Sequence, residues 1–346
     1  MTAPDTIRVI APNFKRRLSG VTSTVVRLVP IQARDIGIVA TGPVLPAHVP
    51  QIPLWRLPFL PRKTTRVWHA RRNVEMIGGL ALKYLLRKQL KLLFTSASQR
   101  KQTGLTRWLI RQMDAVVATS DKTAAYLERP ATVIMHGIDL DGYAPATDRS
   151  ALRAKLGLPD ALLAGCYGRI RHQKGTDAFV EAMLPVMEQH DTLHALVMGR
   201  ATDKHSGYLD TLKARVADHP AIAARVHFLP EVPVEQMADW YRVLDLYVAP
   251  QRWEGFGLTP IEAMACGVPV IATRVGAFEQ IVTQDTGALV PPDDISALST
   301  AIAEALSTSG TLGNWAQKAR PRVTEHFSIT REAAELVTLY NKLLAS

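Results

Sequence analysis

The sequence predicts an α/β protein of two doubly wound parallel-sheet, Rossmann-like domains, and three observations carry that prediction. Short apolar, β-branched runs alternate with helical patterns along most of the 346 residues, as parallel sheets require when each crossover is a helix. The alternation breaks at the polar, turn-rich Asp141-Gly-Tyr-Ala-Pro-Ala-Thr-Asp148 and then restarts. Glycine-containing turns fall at strand ends, where such sheets bind ligands. The expected domains are 1–142 and 143–327, with a last helix over about 328–346 beyond the second sheet.

In the first domain Ile7 to Ala11 reads as a buried strand, and Pro12 to Gly20 as a basic loop. Ser19-Gly20-Val-Thr-Ser-Thr opens a helix toward Val29, so Gly20 marks a phosphate-facing helix start. Six prolines between 43 and 61 predict an extended, irregular excursion. Val67 to His69 reads as a strand end, Asn73 to Lys88 as a helix, Lys91 to Thr95 as a strand and Leu105 to Met113 as a helix. Asp114 to Ser120 gives the next strand, followed by a short helix from Asp121 and a strand at Val133 to Met135.

Beyond the boundary, strands are expected at 161–167, 194–198, 226–229 and 246–249, with helices at 177–190, 207–217 and 235–242. Helices over 293–307 and 330–344 close the chain.

Composition bounds the rest. Hydrophobic residues make up 47% and charged residues 21%, ordinary for a globular protein, and no apolar run is long enough to span a bilayer. Residues 1–10 lead straight into an apolar strand, so no secretory leader is expected, and two cysteines, Cys166 and Cys266, in apolar surroundings favour the cytoplasm. Residues 1–130 hold 22 Lys+Arg against 6 Asp+Glu, a net +16; the remainder holds 19 against 25, a net −6. The basic first third calls for an anionic partner: nucleic acid, lipid headgroups or a phosphorylated acceptor. No regular aromatic–basic interleaving supports a single-strand stacking platform, and no nucleic-acid motif occurs.

Two constellations carry chemistry. Glu254-Gly-Phe-Gly-Leu-Thr-Pro-Ile-Glu262 places two carboxylates eight residues apart around a glycine turn. Gly255 and Gly257 let the backbone approach a ligand, and Leu258 to Met264 reads as the opening of a helix whose free N–H groups suit phosphate. A carboxylate accepts from hydroxyls, so two of them beside an anion site suggest a polyhydroxylated phosphate ester such as a sugar nucleotide. A solvated surface helix is the alternative, weakened by Gly267-Val-Pro-Val-Ile-Ala272, which reads as the next buried strand. In Gly168-Arg169-Ile-Arg-His-Gln-Lys174-Gly175 two cations five residues apart can clamp a diphosphate, Arg169 by a planar fork and Lys174 as a point charge. Taken alone, that loop fits a solvated turn equally well.

Together, Gly-Arg-x(4)-Lys-Gly and Glu-Gly-Phe-Gly-Leu-x-Pro-x-Glu-Ala-Met-Ala resemble the signature of glycosyltransferase family 4, the retaining GT-B enzymes, as do His136-Gly-Ile-Asp139 and Asp245-Leu-Tyr-Val-Ala-Pro250. The resemblance implies the GT-B fold, its two domains facing a cleft and the last helix packing back on the first, with Arg169 and Lys174 holding the donor diphosphate. It further implies that Glu254 contacts donor-sugar hydroxyls, with Gly255 and Phe256 in the same loop. Backbone amides of Gly257, Leu258 and Thr259 would cap sugar or phosphate oxygens, and Glu262 would accept from the ribose. The base would lie near Phe228 to Val232, where Pro230 replaces a common glycine, and Gly20 would close onto the phosphate.

The segments Ala11 to Thr24, Val67 to Met76 and Phe94 to Arg100 are similar to the alphaproteobacterial lipopolysaccharide-core mannosyltransferases. That similarity implies GDP-mannose as donor and the Kdo region of a lipid A precursor as acceptor. Many family members carry a histidine where this chain reads Thr95-Ser-Ala-Ser98; His69 is the substitute candidate, with a partly buried histidine donating to backbone as the alternative. Retention without a protein nucleophile and without a metal ion is implied, cations replacing the divalent ion. Lys15, Arg16, Arg17, Arg71 and Arg72, with His69, are the candidate acceptor-binding residues. The Leu-rich, basic Leu80 to Lys91 suits either a core-facing helix or peripheral contact with the inner face of the cytoplasmic membrane. A UDP- or ADP-sugar enzyme of the same fold and a non-enzymatic polyanion-binding module remain as alternatives; loss of sugar transfer with retained polyanion binding in Glu254→Ala separates the latter from an enzyme.

Overall fold

The computed structural model describes residues 6–16 and 20–346. They form two compact units, Met1–Gly137 together with Ile329–Ser346, and Ile138–Ser328.

The first unit is a parallel sheet of β1 (Val9–Pro12), β2 (Ile38–Thr41), β3 (Arg66–Ala70), β4 (Leu90–Ser96), β5 (Ala115–Ala118) and β6 (Thr132–Val133), in the order β2-β1-β3-β4-β5-β6. Alternate residues of its strands enter different cores. Val9, Ala11 and Val67 pack with Val25 and Leu28 of the helix Gly20–Gln32 and with Leu336 and Tyr340 of the helix Ile329–Ala345. Ile10, Trp68 and Leu92 pack with Met76 of the helix Asn73–Tyr84 and Leu109 of the helix Gly104–Arg111. Helices on both faces explain why β1, β2 and β3 are buried residue after residue.

The second unit is a parallel sheet of β7 (Leu162–Tyr167), β8 (Leu193–Met198), β9 (Val226–Leu229), β10 (Leu246–Ala249), β11 (Val270–Thr273) and β12 (Gly287–Val290), in the order β12-β11-β10-β7-β8-β9. From β7 the chain builds outward through β8 to β9, then crosses to the other side for β10. The direction of winding therefore reverses between β7 and β10, and ligands in such sheets bind beyond the carboxyl ends of the strands flanking that reversal. The same reversal in the first unit lies between β1 and β3.

Several elements differ from the sequence expectation. The edge strands β2 and β12 and the helices Arg149–Lys155 and Thr311–His326 were not anticipated. The proline-rich excursion contains a 3-10 turn at Leu54–Phe59. The helix from Asn73 stops at Tyr84 instead of reaching Lys88, since Arg87 turns to a φ of 50° and Lys88 is buried. The Lys88 ammonium donates to the carbonyls of Pro58 and Leu60, tying the 3-10 turn to the helix end. Among the described residues no helix is long and apolar enough to cross a membrane.

Candidate active site

The two predicted constellations follow β7 and β10, the strands flanking the winding reversal of the second unit. After β7 the chain turns at Gly168 (φ 139°), passes Arg169 and Lys174, and enters the helix Thr176–Gln189 through Gly175 (φ 70°). A Cβ on Gly175 would lie 1.9 Å from the Pro250 carbonyl oxygen, so only glycine lets this loop rest on the segment after β10. After β10 the backbone turns at Gly257 (φ 91°), where a Cβ would lie 2.2 Å from the Phe278 ring.

This packing joins the two motifs. The Lys174 ammonium pairs with the Glu254 carboxylate, whose other oxygen accepts from the Gly255 N–H at 3.0 Å. Both side chains keep about a fifth of their surface, 22% and 19%, so the pair is open to a ligand. Arg169 is exposed and has no protein partner among the described residues. Likewise, the N–H groups of Gly257 and Leu258 meet no protein acceptor there. The helix Thr259–Ala265 begins one residue later than expected and places Glu262 over a buried aromatic cluster, where its carboxylate accepts from the Tyr241 hydroxyl at 2.8 Å. Burial, and then the Glu262 charge, raise the Tyr241 pKa well above its ordinary value, so the phenol stays a neutral donor.

A cavity of about 390 Å³ lies elsewhere, in the first unit; the one beside these motifs measures about 230 Å³. The smaller is lined by Arg169, Arg200, Glu231, Val232, Thr259 and Glu262, which puts Arg169, Glu262 and Val232, expected at the diphosphate, the ribose and the base, around one space; Lys174 and Glu254 do not line it. Val232 follows β9 beyond Pro230, and Phe256 is buried beneath the turn.

Sequence reasoning missed Arg252. Its guanidinium donates to the Asp177 carboxylate at 2.7 and 2.9 Å, to the His172 carbonyl at 2.7 Å and to Asp293, while its N–H donates to the Gln173 carbonyl. It thereby clips the Arg169–Gly175 loop to the Glu254 loop. Desolvation alone would raise Asp177, but hydrogen bonds from Arg252 and Tyr208 hold its carboxyl below the ordinary range. The only available signal was an arginine two residues before Glu254; its partners lie 41 to 80 residues away. Cys166 and Cys266 are both free and buried, their thiols pushed up to about 12 by burial, which leaves them unreactive.

In the first unit, Lys15 and Arg16 follow β1 and are exposed, Arg17 lies outside the described residues, and Gly20 opens its helix. Arg71 and Arg72 follow β3, but their side chains are engaged rather than displayed. Arg72 donates to Asn13 and to the buried Glu75 at 2.8 Å, and Arg71 to the His69 carbonyl at 3.2 Å. His69 is fully buried, its Nδ1 2.6 Å from the Tyr340 hydroxyl and its Nε2 2.7 Å from Thr95 Oγ1. The partners are side chains, not the backbone groups that the buried alternative supposed. Glu332, from the same helix as Tyr340, bonds His136 at 2.7 Å and the Gly137 N–H at 2.8 Å.

Burial, and then the Arg71 charge, hold the His69 pKa well below 6.5. The unfolded chain takes up that proton as pH falls through about 6.5 while the native state refuses it, so this contribution to stability is complete above 6.5 and lost in acid. The melting temperature is expected to fall from pH 7 to pH 5, and His69→Gln to flatten that slope; an unchanged slope in the variant refutes the assignment.

Residues 161–308 match the family described as glycosyl transferases group 1. The chain is 47% identical to the lipopolysaccharide core biosynthesis mannosyltransferase of Rhizobium meliloti, covering 98% of both chains. It is 49% identical to that of Rhizobium leguminosarum bv. viciae, covering 98% of this chain and 97% of the relative. Its fold is similar to sucrose-phosphate synthase from Thermosynechococcus elongatus, with a TM-score of 0.77 at 21% identity over 98% of this chain and 99% of the other. With its two winding reversals, its joined glycine loops and full-length relatives at this identity, the chain belongs to the group 1 glycosyltransferases and is an enzyme of the GT-B fold.

Proposed function

We propose that this glycosyltransferase moves mannose from GDP-mannose, with retention, onto the Kdo region of a lipopolysaccharide core or lipid A precursor. The observation that carries the reading is near-full-length identity of 47% and 49% to two proteins named lipopolysaccharide core biosynthesis mannosyltransferases. The site chemistry supports the donor half. As the bond from the sugar C1 to the diphosphate breaks, negative charge grows on the leaving oxygen, and Arg169 and Lys174 stabilise it with the Gly257, Leu258 and Thr259 amides. Glu254 accepts from sugar hydroxyls, Glu262 from the ribose, and the base lies against Val232. In this reading no metal ion is required.

Acceptor recognition belongs to the basic first unit, with Lys15, Arg16 and Arg17 meeting acceptor anions. His69, with both ring nitrogens bonded, acts as a positioning residue for Thr95 and Tyr340, and Arg71 and Arg72 brace the loops after β1 and β3. A lipid-linked, anionic acceptor places the enzyme peripherally on the cytoplasmic face of the inner membrane.

A donor screen by thermal shift tests the reading. A true donor at a hundred times its Kd stabilises by about 2.7 kcal/mol, and GDP-mannose is expected to raise the melting temperature where UDP-glucose, UDP-N-acetylglucosamine and ADP-glucose do not. Mannose transfer to a Kdo-bearing lipid A precursor should survive EDTA. A shift only with a uridine or adenine nucleotide overturns the mannose assignment.

A further inference from the structure

The first unit leaves an apolar face uncovered at the end of the helix Asn73–Tyr84. Phe59 is 79% exposed, Leu85 80%, Trp55 65% and Tyr84 63%, a cluster far beyond the scattered apolar residues of an ordinary surface. Between the 3-10 turn Leu54–Phe59 and the helix runs a groove of about 390 Å³, lined by apolar groups including Phe14, Leu57, Trp68, Ala81, Leu82 and Leu86. Lys88, buried and bonded to the Pro58 and Leu60 carbonyls, holds the two walls together. The groove is thus built into the fold.

The charge around it is predominantly positive, and the carboxylate bonded to the exposed side of the helix Asn73–Tyr84, Asp114, is paired with Lys83 at 3.0 Å. Residues 36–113 contain 14 Lys+Arg and one acid, Glu75, and Glu75 is fully buried on Arg72. Arg62, Lys63 and Arg87 are exposed beside the groove walls, and the Arg56 guanidinium lies over the Trp55 ring at 5.4 Å. A protein partner is met by a rim of mixed polarity; a leaflet of anionic lipid presents hydrocarbon below a sheet of negative headgroups. Trp and Tyr beside cations suit the headgroup level, and Phe and Leu suit the chains beneath it.

We propose that this groove receives an acyl chain of an anionic membrane lipid, with Trp55, Phe59 and Leu85 entering the leaflet while Arg62, Lys63 and Arg87 bind its headgroups. The inference rests on the peripheral-membrane reading above and deepens it, moving the contact from the Leu80 to Lys91 helix to the groove edge. In that helix's place Lys88 is buried and Lys91 belongs to β4.

The test sediments the full chain with equimolar phosphatidylglycerol–phosphatidylcholine vesicles and with pure phosphatidylcholine vesicles. The native protein is expected on the anionic vesicles, and the triple variant Trp55→Ser, Phe59→Ser, Leu85→Ser to partition about 100-fold less, with unchanged melting because all three side chains are exposed. Chain-brominated phosphatidylglycerol should quench native tryptophan fluorescence, and Trp55→Phe should remove part of that quenching. If the triple variant sediments like the native protein, charge alone attaches it and the groove assignment fails while the membrane reading stands. If the native protein sediments with neither vesicle, both fail. A dimer in light scattering that the triple variant dissolves, without vesicle binding, shows a second copy covering the face and overturns the inference.

Discussion

Glu254→Ala is expected to lower kcat/KM for sugar transfer by about 100- to 1,000-fold, the cost of losing one preorganised polar contact in a transition state. The effect has two sources. In the proposed reading the carboxylate that accepts from donor hydroxyls is gone, and Lys174, which pairs with it, loses the group that fixes its ammonium. Because both side chains retain some solvent exposure, the pair adds little to folding, and the variant should melt close to the native protein. Glu254→Gln keeps the shape and one acceptor but not the charge, so its rate should fall between the two. Transfer by Glu254→Ala with the native kcat/KM, measured at subsaturating donor, would remove Glu254 from the site.

Gly175→Ala is expected to be strongly destabilising for so small a change. The residue sits at a φ of 70°, and the added Cβ would lie 1.9 Å from the Pro250 carbonyl oxygen, a rigid backbone atom. Left-handed strain costs about 1–3 kcal/mol, and the clash forces the loops apart, for a total of about 3 kcal/mol or more. At roughly 2–4 °C per kcal/mol, the melting temperature should fall by about 6–12 °C. Lys174 moves with the loop, so transfer should fail in parallel. Gly207→Ala is the control: its Cβ would meet nothing within 4 Å and it lies in the helix Ser206–Ala217, so the melting temperature should hold or rise. A Gly175→Ala protein that melts like the native chain would refute the close approach.

The elements legible in the sequence were those whose own residues carry the signal. Leu246 to Ala249 and Val270 to Thr273 are continuous apolar runs because they lie inside a sheet covered on both faces. The unread strands β2 and β12 are edge strands, each defined by one neighbour rather than two. Lys88 was misread for a related reason. A lysine after a leucine-rich helix reads as solvated, but here backbone carbonyls of a proline-rich turn, distant in sequence, accept its protons.

The candidate site divides the same way. Glycines at 168, 175, 255 and 257, the cations Arg169 and Lys174 and the carboxylates Glu254 and Glu262 were fixed by the sequence, because short spacing and backbone freedom are local properties. Their meeting was not local: it required β7 and β10 to be neighbours across the winding reversal, and Arg252 to bridge the loops. His69 shows the converse: the sequence offered it as the substitute for a family histidine, and packing alone placed Tyr340 and Thr95 on its two nitrogens. Sequence by itself determined which chemical groups this protein presents and on which kind of turn. The tertiary structure alone decided which of them meet and which are buried, since desolvation and hydrogen-bond partners come from residues far away along the chain.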